Sequence, residues 1–200
     1  MQKKNVQYDT GLSLTPGKYH LKFVVRENQT GRMGSFETDL EVPDLKSQPL
    51  KMSSIVLANQ LEPAKKNSAP NPLIRDGSEI IPNVTHVFSP AQHLRLYYEV
   101  YDPGRSKPAQ TAESHSNTPA IHLLSSVSFF RGKARVFESA PVELTELNAR
   151  DRKAGVFQLD LPLNTLKPGF YTCQVNVIDD AAGSFLFPRF ALVIRSENHF

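Results

Sequence analysis

Between Gly17 and Arg26 apolar and polar side chains alternate, with Tyr19, Leu21, Phe23 and Val25 set against His20, Lys22 and Arg26. A period of two over eight residues predicts a half-buried antiparallel strand. The same pattern returns 152 positions later, where Tyr171, Cys173, Val175 and Val177 alternate with Thr172, Gln174 and Asn176. The likeness extends beyond the strands. Leu14-Thr-Pro-Gly-Lys-Tyr19 matches Leu166-Lys-Pro-Gly-Phe-Tyr171, and the match runs without a gap through Gly31 and Gly183 to Leu40 and Leu192. In each copy a polar turn closes on glycine (27–31 or 179–183) and leads to a second apolar segment ending at Val42 or Ile194. This predicts one hairpin used twice.

The lead-in to each hairpin places a tyrosine directly after a tight Pro-Gly turn. That spacing predicts a tyrosine corner, with the ring buried and the hydroxyl bonded to upstream backbone. In immunoglobulin-like domains the corner sits where strand E passes to strand F, two residues before a cysteine, and Tyr171-Thr-Cys173 has that spacing. Cys173 is the only cysteine. With no partner for a disulfide and no activating charge beside it, it is expected to behave as a small buried hydrophobe. Tyr19, Tyr171 and Cys173 are thus read as structural residues.

Further strand signals cover 50–58, 84–89, 93–101, 120–131, 133–138, 155–161, 171–178 and 185–194. About eight short strands in a row predict an all-β chain of the immunoglobulin or fibronectin type III sandwich type. Residues 59–82, with Pro63, Pro70, Pro72 and Pro82, are expected to be a mobile loop, as is the Ser, Thr and Pro-rich stretch 104–119. The one helical signal is 143–153, where Glu143, Glu146, Arg150 and Lys153 have three- and four-residue spacings. If each corner marks an E–F junction, residues 1–45 hold only the last strands of a truncated sandwich and 46–200 hold a whole one. The short piece buries too little apolar surface to fold alone. It would dock on the larger domain, complete itself through another chain, or continue a longer polypeptide, and the last is the expectation.

Composition narrows the function classes. The 200 residues are 40% hydrophobic and 22% charged, with a formal charge of +3. That is an ordinary globular balance, too weakly basic to make nucleic acid an expected partner. No apolar run approaches the about 20 residues of a membrane span, and no apolar segment of signal-peptide type follows Lys3 and Lys4. Six histidines show no metal-ligand spacing, and no serine lies in a Gly-x-Ser-x-Gly elbow. No catalytic, cofactor-binding or metal-ligating residue is assigned, and no cofactor is expected. Asp102, Asp179 and Asp180 lie at turn ends, where carboxylates cap backbone amides. Arg95, Tyr97 and Tyr101 share one face of the 93–101 strand. They are the candidate binding surface, an aromatic platform for a sugar or peptide, unless a second layer covers them.

Several segments together carry a resemblance: Gly31-Arg-Met-Gly-Ser35 through Leu40-Glu-Val-Pro-Asp-Leu45, Leu50-Lys-Met-Ser-Ser-Ile-Val-Leu57, then 82–88, 94–103, 127–133 and 166–177. In this order they resemble the C-terminal β-sandwich region of the von Willebrand factor A-related proteins described from Acidobacteria. The resemblance implies an exported, extracytoplasmic multidomain protein with a metal-dependent adhesion domain upstream. The Asp-x-Ser-x-Ser run of that domain has no counterpart here, so no functional residue carries over. The expected function is a non-catalytic structural or protein-interaction module, partnered by another protein or by upstream domains. A carbohydrate-binding accessory module is the alternative, and an enzyme with dispersed catalytic groups is the third reading.

Overall fold

The computed structural model describes residues 10–64, 71–106 and 120–196. The chain divides into two compact units, Met1–Gln48 and Pro49–Phe200. In the first, β1 (Gly17–Arg26) and β2 (Met33–Val42) form one antiparallel hairpin in unbroken register from Gly17 opposite Val42 to Arg26 opposite Met33. Gly31 closes the turn at φ 71°, a left-handed conformation that favours glycine, and its N–H donates to the Glu27 carbonyl at 2.9 Å. Directly opposed residues share a face, so Tyr19, Leu21, Phe23 and Val25 lie beside Leu40 and Phe36. The other face opposes Lys18, His20 and Lys22 to Glu41, Asp39 and Glu37. Past β2, the Asp44 carboxylate caps a single 3-10 turn, Leu45–Ser47, by accepting from the Lys46 N–H.

The second unit holds two sheets. One is built from β8 (His93–Tyr101), flanked by β12 (Ala154–Pro162) and by β4 (Val56–Pro63), beyond which lie β6 (Ser78–Pro82) and β5 (Ile74–Arg75). The short β3 (Lys51–Met52) also pairs with β8. The other sheet runs β10 (Ala134–Glu138), β9 (Leu123–Arg131), β13 (Gly169–Asp179), β15 (Arg189–Ile194) and β7 (Val87–Phe88). Here β11 (Val142–Leu144) pairs with β9 and β14 (Ser184–Leu186) with β13. All pairings are antiparallel except β7 with β15. One core joins the sheets: Leu94, Leu96, Tyr98 and Val100 of β8 share a cluster with Tyr171, Cys173, Val175 and Val177 of β13. The architecture is all-β and sandwich-like. Among the described residues, no helix is long and apolar enough to cross a membrane.

Several expectations change. Residues 59–82 are not one loop, because β4 continues to Pro63, where it opposes Ser78 of β6, and β6 ends at Pro82. Both prolines stand at strand ends, where a missing N–H costs little. Residues 65–70, and 107–119 of the second expected loop, lie outside the described residues. The 50–58 strand is interrupted after Met52, where Ser53 bridges to Glu99: its N–H donates to the Glu99 carbonyl and its Oγ accepts from the Glu99 N–H, both at 2.9 Å. The 84–89 signal contracts to β7. The helical signal of 143–153 narrows to one 3-10 turn, Arg150–Arg152, while Glu143 is extended in β11 opposite Leu124. The last strand splits at Pro188, whose carbonyl accepts from the Val175 N–H.

Candidate functional site

The predicted hydroxyl bond forms in both corners, and the predicted ring burial in the second alone. The Tyr19 hydroxyl donates to the Thr15 carbonyl at 2.7 Å, and the Tyr171 hydroxyl donates to the Lys167 carbonyl at 2.6 Å. Their surroundings differ. Tyr171 is buried, with the Phe129 ring edge-on at 6.5 Å, whereas Tyr19 is only half-buried. Cys173 is wholly buried, and desolvation pushes its thiol far above the usual range, which leaves it unreactive at neutral pH.

The candidate platform on β8 needs correcting. Tyr97 is 3% exposed and Tyr101 half-buried, because Ala58, Ile80, Ala149, Ala154 and Val156, with Leu73, form a second apolar cluster over that face. Inside it lies Glu99, 2% exposed, which accepts from the Tyr97 hydroxyl and from Arg152 Nη2 at 2.9 Å. Burial first, and the bond to Glu99 second, push the Tyr97 hydroxyl up and raise the Tyr101 hydroxyl to about 12. Arg95 is held by Asp160 at 3.0 Å. Tyr97 and Glu99, with Arg152, are therefore a buried polar anchor that holds the 149–154 turn on the sheet, and the Tyr97 ring offers no stacking surface to a ligand.

At the end of the same sheet Asp102 (φ 43°) and Lys153 (φ 52°) are both left-handed, and the Asp102 N–H donates to the Lys153 carbonyl at 3.0 Å. They border a cleft of about 890 Å³ with Ile121 and Leu147 in its wall and Arg105 and Arg150 on its rim. Asp102 is engaged by Lys51 at 3.2 Å. Nearby, Asp179 is buried and accepts from the Gly104 N–H at 2.7 Å and the Ala182 N–H at 3.1 Å, the amide-capping role expected of a turn carboxylate. Asp180 instead meets His122, whose Nδ1 lies 2.9 Å from Asp180 and whose Nε2 lies 2.9 Å from Glu143. Sequence reasoning missed this clamp, because its partners stand 58 and 21 positions from the histidine.

Among the described residues, two groups of neighbouring apolar side chains are open. On the hairpin, Val25 is 70% and Phe36 63% exposed, whereas Val177, the counterpart of Val25 in the second copy, is fully buried. On the larger unit, Phe185 and Phe187 stack on one another, centroids 5.2 Å apart, while remaining 63% and 45% exposed. Neither surface was singled out in the sequence, since alternation shows which residues share a face and not what covers it.

Fold and surfaces together define the class: an all-β, sandwich-like chain carrying a second, smaller hairpin unit. No known protein family's sequence profile matches it, and no curated protein sequence matches it.

Proposed function

We propose that this chain is a non-catalytic module of immunoglobulin or fibronectin type III type that works by protein contact within a larger exported, adhesion-type protein. The observation carrying this reading is the contrast between the two hairpins. The second copy is packed into a sandwich core, while the first presents the same alternating apolar face to solvent. A two-stranded hairpin with an open apolar face is marginal in water, and exposed apolar patches of this kind mark contact surfaces. The extracytoplasmic setting and the upstream adhesion domain rest on the family resemblance.

A photo-crosslinking residue placed at Val25 or Phe36 tests the reading in cells of the source organism. Expected are specific polypeptide adducts from these positions and none from Val84, which is equally open on the other unit. Equal yields from all three positions overturn it.

The carbohydrate reading keeps one supporting observation, moved to a new place. The exposed Phe185 and Phe187 rings are the kind of apolar surface on which a sugar face packs. Glycan binding lost in Phe185→Ala and Phe187→Ala, with thermal unfolding unchanged, supports it; a silent glycan array removes it.

A further inference from the structure

The register of the two hairpins is the same, Gly17 opposite Val42 as Gly169 is opposite Ile194, and Tyr19 opposite Leu40 as Tyr171 is opposite Leu192. What surrounds the second copy therefore shows what the first one lacks. β13 is central: β15 lies along one edge, and β9 pairs with the other from Thr172 to Asp179. The matching stretch is 20–27, all but Glu27 within β1, and among the described residues β2 is the only strand paired with β1. Beneath β13 the residues Cys173, Val175 and Val177 are fully buried; beneath β1, Phe23 is 43% exposed and Val25 more so. An open edge with an open apolar face invites pairing with another strand.

Charge says what kind of strand. Along β13 the outer positions Thr172, Gln174, Asn176 and Ile178 are neutral, whereas their counterparts on β1 are His20, Lys22, Val24 and Arg26. Lys22 and His20 are answered by Glu37 and Asp39 of β2, at 2.5 and 2.8 Å, and no described carboxylate pairs with Arg26. A second β1 laid antiparallel on this edge would bring cations against cations, which disfavours a symmetric dimer. An incoming strand with carboxylates on its outer face would meet the opposite charge, and apolar residues on its inner face would extend the row of Tyr19, Leu21 and Phe23.

We propose that the free edge of β1 accepts an extended polypeptide strand foreign to this sequence, antiparallel to residues 20–27 and alternating apolar with acidic side chains. The inference rests on the protein-contact reading above and names its geometry. The hairpin is an incomplete sheet, and the incoming strand takes the place that β9 takes beside β13.

The probe is a synthetic peptide of residues 121–131, the β9 segment, carrying Leu124→Glu, Ser128→Glu and Phe130→Glu, the positions that would oppose Arg26, Lys22 and His20. A control peptide carries lysine at the same positions. Hydrogen exchange of the 200-residue chain is followed with each. The acidic peptide is expected to protect amides within 20–27 and to bind about tenfold more tightly than the lysine peptide at low salt, the gap closing as salt is raised. In Arg26→Glu the gap narrows or inverts. Alternate amides of this stretch already donate to β2, as the Glu27 N–H does to the Arg32 carbonyl, so the readout is the other, edge-facing set. The proposal is overturned if neither peptide protects these edge-facing amides, or if they are already protected in the monomer. It is also overturned if light scattering shows the chain alone forming oligomers that protect them, which makes a second copy the occupant. Loss of peptide binding while Val25 and Phe36 still crosslink a protein leaves the contact reading standing and removes only the strand-addition geometry.

Discussion

Glu99 is a buried carboxyl group, and an unanswered buried charge is costly. Arg152 and the Tyr97 hydroxyl both meet its Oε1. Arg152→Ala is expected to cost on the order of 2 kcal/mol in urea unfolding, below the range for a fully stranded ion because the tyrosine bond survives. Arg152→Lys should recover part of the loss. His122 behaves differently, since it is half-exposed and both ring nitrogens face carboxylates. The Asp180 hydrogen bond raises its pKa above the ordinary 6.5, partial burial opposes this, and Glu143 adds to the rise. A group whose folded value is raised stabilises fully below its unfolded value and loses that contribution as pH climbs through the folded one. The melting temperature of the protein should therefore exceed that of His122→Gln most at pH about 6, below the ordinary histidine value, and the difference should shrink as pH rises. A difference that grows with pH contradicts the assignment.

The elements most legible in the sequence are those whose determinants are local. Each corner is set by six consecutive residues, and the alternation of β8 assigns its two faces correctly. What that alternation leaves open is the cover over Arg95, Tyr97 and Tyr101, because Leu73, Ala149 and Ala154 arrive from distant turns. The proline count of 59–82 misled for a related reason: a proline ends a strand as readily as it fills a loop, and only pairing partners distinguish the two. The corners also lend themselves to a comparison. Tyr171→Phe removes a hydrogen bond inside a packed core and should cost about 1 kcal/mol in unfolding of the larger unit. Tyr19→Phe should leave that transition where it is. Equal effects would mean that the hairpin and the sandwich unfold together.

For the whole molecule, both apolar clusters draw only on residues from Leu50 onward. Residues 49–200 alone are therefore expected to unfold in one cooperative step at the same urea midpoint as the larger unit within the full chain. A midpoint lowered by more than the error of measurement would assign the hairpin a part in that stability. Cys173 makes such experiments unusually direct. A solitary thiol sealed in the layer shared by both sheets cannot meet a labelling reagent until the layers separate. With an aromatic disulfide reagent concentrated enough that modification outruns reclosing, the labelling rate of the native protein should match its global opening rate, giving an intrinsic clock for sandwich rupture without any engineered reporter.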